Sequence, residues 1–310
     1  MKILDRDFTG YGKEPPNPNW PKKSRLAINF VINVEEGSEY SPLLGDLKSE
    51  SGLSEVPGGR HNQNQRDLAI ESIYEYGSRV GFWRITKLLD TYKLPHTFFV
   101  CALTLLQNKE ICEHIKNSYN DICCHGYRWE EHYRLNKITE KKQIKKAYDL
   151  ILKLTKKKAK GWYCRYAPSE NTRKLLIKNG NFLYDSDSYN DDLPHWVETG
   201  GKKHLVIPYS LDTNDVHFKL PSGFSGATQF YEYVCDSINY LYKEGSHQPK
   251  MMNIGLHPRL IGRPGRIVAI EKIIKHIKNL NKIWVCKRED IAHHWYENFY
   301  ELYSILKISF

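Results

Sequence analysis

Short apolar runs alternate with longer amphipathic ones along almost the whole chain, and this rhythm restricts the possible folds more than any other feature. Residues 26–34 read LAINFVINV, a strand with Leu26, Ile28, Phe30 and Ile32 on one face and Ala27, Asn29, Val31 and Asn33 on the other. Further strands are predicted at 96–101, 121–124, 161–166, 182–185, 205–208, 251–256 and 282–286. Helices are predicted at 70–92, 111–116, 137–160, 171–179, 228–244 and 267–279. Strands separated by helices imply parallel pairing through right-handed crossovers. No G-x-G-x-x-G turn or P-loop follows any strand, which argues against an open doubly wound sheet. The expected fold is α/β, a distorted (β/α) barrel of about seven parallel strands.

A chain of 310 residues, 40% of them hydrophobic, can fill one sizeable core. We expect a single domain over 1–310: a barrel core at about 24–290, an extended arm at 1–23 and a C-terminal extension at 291–310. Pro15, Pro16, Pro18 and Pro21 forbid a helix in the arm. The closing run Leu302–Phe310 is expected to dock on the body as a helix or strand. No apolar h-region follows the early lysine, and no stretch approaches the roughly 20 apolar residues of a membrane span. The expected location is cytoplasmic, with the seven cysteines as buried, reduced thiols and no membrane partner. The net charge of +10 raises the question of nucleic acid. Much of that excess lies in 137–160, where Ile144, Tyr148, Ile151 and Leu152 recur at helical spacing with lysines between them, the pattern of a solvated helix face. No nucleic-acid motif accompanies it, so no nucleic-acid partner is expected.

In parallel barrels the chemistry gathers where strands end. The first strand ends in Glu35-Glu36-Gly37, a candidate pair for proton transfer and for holding a water or ligand. The third runs into His125-Gly126-Tyr127-Arg128-Trp129, the fourth into Arg165-Tyr166-Ala167-Pro168, the fifth into Asp185-Ser186-Asp187, and a late one into His257-Pro258-Arg259. Each has a bland reading as a turn or a structural side chain. A carboxylate, a histidine, an arginine, an aspartate and a histidine nevertheless fall at successive strand ends, and a barrel would bring all five to one mouth.

This order resembles the polysaccharide deacetylase (NodB-homology) superfamily, with its Asp-Asp, His-x-x-x-His, Arg-x-x-Pro, acidic and Leu-His motifs. More closely the chain is similar to the allantoinase-like, metal-independent branch. The similarity rests on residues 29–37 (NFVINVEEG), 71–84 (ESIYEYGSRVGFWR), 97–100, 125–129, 161–163, 184–189 and 256–259. The departures lie at the metal site. The acid pair is Glu35-Glu36, and the position four residues after His125 is Trp129 rather than a second histidine. The resemblance implies hydrolysis of a carbon–nitrogen amide bond. Glu35 would be the general base and His257 the general acid, with Arg165, Arg128, Trp129 and Asp185 around the substrate. Glu36 and His125 would position the water, or hold a divalent Zn, Co or Ni ion. We expect no cofactor, because two protein ligands fall short of the three usual in a catalytic zinc site; His132, two helical turns past His125, is a third ligand only if that loop is helical. The substrate expected is a cyclic amide of the hydantoin type. A deacetylase acting on N-acetylated polysaccharide or chitooligosaccharide is the alternative, and a non-catalytic binding protein a minor one. The resemblance also implies a homo-oligomer.

Overall fold

The computed structural model describes residues 6–56, 63–220 and 222–300. From the N-terminus it places β1 at Leu26–Val34 and α1 at Leu68–Tyr76, which passes through a π-helical turn at Gly77–Gly81 into α2 at Phe82–Thr91. Then come β2 (His96–Val100), α3 (Ala102–Gln107), α4 (Lys109–Asn117), β3 (Asp121–Cys124), α5 (Lys137–Thr155), β4 (Gly161–Trp162), α6 (Thr172–Asn179) and β5 (Tyr184–Asp185). The chain continues through β6 (His195–Thr199), β7 (Lys202–Val206), α7 (Ala227–Glu244), β8 (Lys250–Leu256), α8 (Pro264–Lys278), β9 (Ile283–Val285) and α9 (Arg288–Phe299).

The strands form one curled sheet in the order β6-β7-β5-β4-β3-β2-β1-β8, and β9 pairs with the first residues of β1. Every pairing is parallel except β6 with β7. The run from β7 to β8 is therefore seven parallel strands, as the rhythm predicted. All nine residues of β1 are buried, and the two faces serve different layers. Leu26, Ile28, Phe30, Ile32 and Val34 pack outward with Phe82, Ile85, Phe98, Val234 and Ile273 under the helices. Ala27 and Val31 face inward with Phe99, Tyr163, Tyr184 and Tyr209. Burial of each large apolar side chain contributes about 1.5–3 kcal/mol. The two asparagines on the inner face donate across it: Asn29 Nδ2 to Thr97 Oγ1 and the Cys286 carbonyl, leaving its Oδ1 buried without a partner among the described residues, and Asn33 Nδ2 to the Tyr209 hydroxyl and the Leu256 carbonyl.

β7 and β8 form no ladder with each other. The segment after β7 closes the gap instead. Asn253 of β8 accepts from the Ser210 N–H at 2.8 Å and donates to the Ser210 carbonyl at 3.0 Å. Thr213 Oγ1 donates to the Asn253 carbonyl at 2.5 Å, the Gly255 N–H donates to the Thr213 carbonyl at 3.2 Å, and Asn214 bridges to Gly255. Gly255 is required there, because a Cβ would collide with the Asn214 amide and the Tyr209 hydroxyl.

Several boundaries differ from expectation. The basic helix stops at Thr155, where Lys156 takes a left-handed conformation (φ 61°). The strand expected over 161–166 ends at Trp162, since the Cys164 N–H turns away to Asp187 Oδ1. The hairpin strand β6 and helix α9 were not anticipated. α9 starts at Arg288, inside the expected barrel core, and packs Trp295 and Phe299 with Trp20 of the N-terminal arm. The run Leu302–Phe310 lies outside the described residues. No helix among the described residues is long and apolar enough to cross a membrane, and the seven cysteines are free and buried.

Candidate active site

Because the strands run parallel, the residues following β1, β3 and β8 emerge at the same end of the sheet, and their side chains meet. Glu35 Oε1 lies 3.0 Å from His125 Nε2 and 3.5 Å from His257 Nε2. All three are buried, none more than 5% exposed. His125 is held from behind: its Nδ1 faces the Tyr163 carbonyl at 2.8 Å, a group that can only accept, which fixes a proton on that nitrogen. The Tyr163 ring stacks on the imidazole with centroids 5.1 Å apart. The Cys101 thiol donates to the His125 carbonyl.

His257 has a carboxylate partner that sequence reasoning missed. Asp215, fully buried, accepts from His257 Nδ1 at 2.6 Å through one oxygen. Its other oxygen accepts from the backbone N–H groups of His257 at 2.6 Å and Ile261 at 3.2 Å. Asp215 comes directly after the segment that closes the sheet, in a loop that also contains Asp212, and nothing in the string marks one aspartate over the other. An acid a few residues past a strand end was the available signal.

Arg259 was visible in the late motif but had been given no role. It is fully buried, and its guanidinium joins the two glutamates: Nη2 donates to Glu35 Oε2 at 2.7 Å and Nη1 to Glu36 Oε1 at 3.2 Å. Nε donates to the Leu53 carbonyl, and the charge sits 4.2 Å from the Tyr74 ring centroid and 5.2 Å from that of Trp129. The π-helical turn presses against the same pair, and a Cβ on Gly77 would overlap the Glu36 carboxylate. Such turns recur at functional sites.

These contacts separate the protonation behaviour of the groups. Burial alone would raise the Glu35 carboxyl, but the charges of Arg259 and His257 and hydrogen bonds from His125 and His257 outweigh it and hold Glu35 well below the usual range. Burial would lower His257, and the carboxylates of Asp215 and Glu35 reverse this, raising it to about 9. Glu36 is pushed up, by burial first and then by the Glu35 charge, with Arg259 opposing. The arrangement at neutral pH is an ionised carboxylate beside a protonated imidazole, the pairing that acid–base catalysis requires. Glu36 also borders a cleft of about 290 Å³ lined by Glu39, Arg66, Tyr74, Arg79 and Gln107 among others. That is near the lower end of small-molecule sites.

The other expected site residues are placed as follows. Trp129 is fully buried and stacks under the Arg165 guanidinium at 3.6 Å. Arg165 is itself held by both oxygens of buried Glu50, at 2.5 and 3.0 Å, and donates to the Trp129 carbonyl, so its charge is already compensated. Arg128 is likewise taken up by Asp46 and the Glu39 carbonyl. Asp185 pairs with Arg173 at 2.7 Å and His204 at 3.2 Å rather than with either imidazole of the cluster. The structure thus brings Glu35, Glu36, His125 and His257 together, sets Trp129 and Arg165 beside them, and engages Arg128 and Asp185 elsewhere.

The donors do not fit a divalent metal. His132 is buried against Glu140, with Nδ1 3.2 Å from its carboxylate, and is not turned to His125. Trp129 supplies no ligand atom, and Glu36 is bonded to Arg259. Among the described residues no three His, Cys, Asp or Glu side chains are gathered as a metal site.

The chain is similar to several known proteins. Residues 61–181 match the family model described as polysaccharide deacetylase. A Schizosaccharomyces pombe protein described as a polysaccharide deacetylase is 37% identical, over 94% of this chain and 96% of its own. A Helicobacter pylori peptidoglycan deacetylase is 27% identical over 69% and 83%. Among solved structures, PuuE allantoinase superposes with a TM-score of 0.92 at 42% identity, covering 96% of this chain and 98% of that one. A Pseudomonas aeruginosa PAO1 protein described as a polysaccharide deacetylase also gives 0.92, at 43% identity over 96% and 99%.

Proposed function

Because the chain belongs to the polysaccharide deacetylase family, whose members hydrolyse carbon–nitrogen amide bonds, we propose that it opens a small cyclic amide of the hydantoin type, as an allantoinase does. The observation that carries this reading is one carboxylate oxygen, Glu35 Oε1, within 3.0 Å of one imidazole and 3.5 Å of a second that is backed by Asp215. Glu35, ionised at neutral pH, takes the proton from a water as its oxygen attacks the amide carbonyl. His257, kept protonated by Asp215, gives a proton from Nε2 to the departing ring nitrogen. His125, clamped through Nδ1, aligns the water against Glu35. Arg165 and Arg128 are committed to Glu50 and Asp46 and are not free to donate to the developing oxyanion.

A cyclic substrate suits the enclosure of the reacting groups and the small cleft beside Glu36, whereas a polysaccharide needs an open groove. The second reading, removal of N-acetyl groups from a sugar, has its support in the descriptions of the Schizosaccharomyces pombe and Helicobacter pylori relatives. The deciding experiment offers purified protein allantoin and N-acetylated chitooligosaccharides side by side. Formation of allantoate without acetate is expected. Acetate release with no turnover of allantoin overturns the first reading in favour of the second.

A further inference from the structure

Two adjacent carboxylates buried beside a histidine make a strongly anionic hole, and such a hole captures cations unless one is already built in. Here one is. Arg259, with no exposed surface, spends one nitrogen on each glutamate and a third on the Leu53 carbonyl, while its flat faces are covered by Tyr74 and Trp129. The guanidinium takes Glu35 Oε2 and leaves Oε1, the oxygen that meets the two imidazoles. Its bond to Glu36 Oε1 uses one oxygen that a divalent ion at Glu36 and His125 would require, and the remaining oxygen accepts from the Glu35 N–H at 3.2 Å. Trp129, whose ring centroid lies 5.2 Å from the guanidinium, has no ligand atom.

We propose that Arg259 is the resident cation of this site: a positioning residue that bridges Glu35 and Glu36, aims Glu35 at the imidazoles, and excludes divalent metal by occupying Glu36. This deepens the reading of the site given above and rests on it for what Glu35 does. The exclusion itself can be measured without turnover.

A planar fork reaching two carboxylates at once is a task for arginine, and lysine can supply its charge but not its geometry. Arg259 and Trp129 should therefore act jointly. Removing the ring alone leaves Glu36 engaged, and removing the guanidinium alone leaves two ligands. Removing both, with histidine in place of the tryptophan, leaves Glu36, His125 and a second imidazole, the three ligands that a catalytic site uses.

The test titrates Co²⁺ into wild type, Trp129→His, Arg259→Gln, the double variant Trp129→His/Arg259→Gln, and Trp129→His/Arg259→Lys. Uptake is read by calorimetry and by the visible absorption of bound cobalt, with folding checked by circular dichroism. We expect no stoichiometric uptake by wild type or Trp129→His. The glutamine double variant should bind one equivalent, with affinity raised by at least about 10- to 100-fold. The lysine double variant should stay empty, because the charge remains. One equivalent bound by wild type overturns the proposal, as does equal binding by Trp129→His and the glutamine double variant, or no gain in that double variant. If the glutamine double variant does not fold, Trp129→His/Arg259→Ala takes its place under the same criteria: one equivalent bound supports the proposal, and no gain over Trp129→His refutes it. If cobalt behaves as expected while allantoin is not turned over, the substrate assignment fails and the role of Arg259 stands.

Discussion

Replacing Asp215 by asparagine tests the acid–base assignment at its most sensitive point. One Asp215 oxygen accepts two backbone N–H groups, so the asparagine carbonyl must face them. The amide nitrogen then points at His257 Nδ1 and donates where the carboxylate accepted. The imidazole is left neutral, with its hydrogen on Nε2, a far weaker acid than imidazolium. In the native protein Asp215 and Glu35, against burial, raise His257 from 6.5 to about 9. At about 1.4 kcal/mol for each tenfold change, this is on the order of 3 kcal/mol of preference for the protonated form, shared between the two carboxylates. The assay is the pH dependence of kcat/KM, whose alkaline limb reports the acid in the free enzyme. Wild type should hold its activity until close to pH 9, whereas Asp215→Asn should lose about 10²- to 10⁴-fold at neutral pH with the alkaline limb moved down. Stability gives an independent reading. A raised folded-state value means that unfolding releases a proton, so the stabilisation is complete below 6.5 and disappears as pH rises through about 9. Wild type should therefore lose melting temperature across that interval, and the variant should lose less. An unchanged alkaline limb together with a parallel melting profile would refute the Asp215–His257 assignment.

Four further outcomes follow from the same geometry. Glu35→Gln should remain folded and lose about 10²- to 10⁴-fold in kcat, the usual scale for a general base, and near-native turnover would count against its role. Because the folded-state value of Glu35 lies well below 4.5, its stabilising share is present above 4.5 and lost as pH falls through the lowered value, so acid unfolding of Glu35→Gln should show a shallower pH dependence than wild type. Gly77→Ala should cost about 1–3 kcal/mol in urea unfolding and impair turnover, since the new Cβ collides with the Glu36 carboxylate; a neutral result would mean that the π-helical turn has slack. Arg165→Ala should destabilise by about 3–5 kcal/mol because it strands Glu50 in the interior, and Arg165→Ala/Glu50→Ala should recover part of that loss, both measured by chemical denaturation.

The architecture was readable where burial imposes a strong period. β1 is enclosed on both faces and its alternation is unbroken, so its limits were found to the residue. β4 and β5 shrink to two residues each because the chain leaves the ladder to make side-chain bonds, such as Cys164 N–H to Asp187, that no periodicity encodes. β6, His195–Thr199, is a half-exposed edge strand without a clear apolar face. α9 escaped because Lys287 precedes it where a serine or threonine cap would have announced a helix, although Asp290 still accepts from the Lys287 N–H. The same division holds in the site. Glu35, His125 and His257 sit directly at strand ends, so parallel topology alone brings them together. Asp215 and Glu50 arrive on loops, and a string of letters does not give the path of a loop. Arg259 stood in plain view two residues past His257, but its direction depends on helix α2 and its π-helical turn closing over the first strand end.

The stretch Ser210–Asn214 that seals the sheet onto β8 runs without a break into the aspartate that grips His257. A tremor at this seam is therefore felt at the proton donor: if Thr213 loosens from Asn253, the carboxylate two residues further on drifts from its imidazole. The bonds that shut the barrel and the carboxylate that charges the imidazole sit in one short segment, so a change that eases the wall should also disarm the acid.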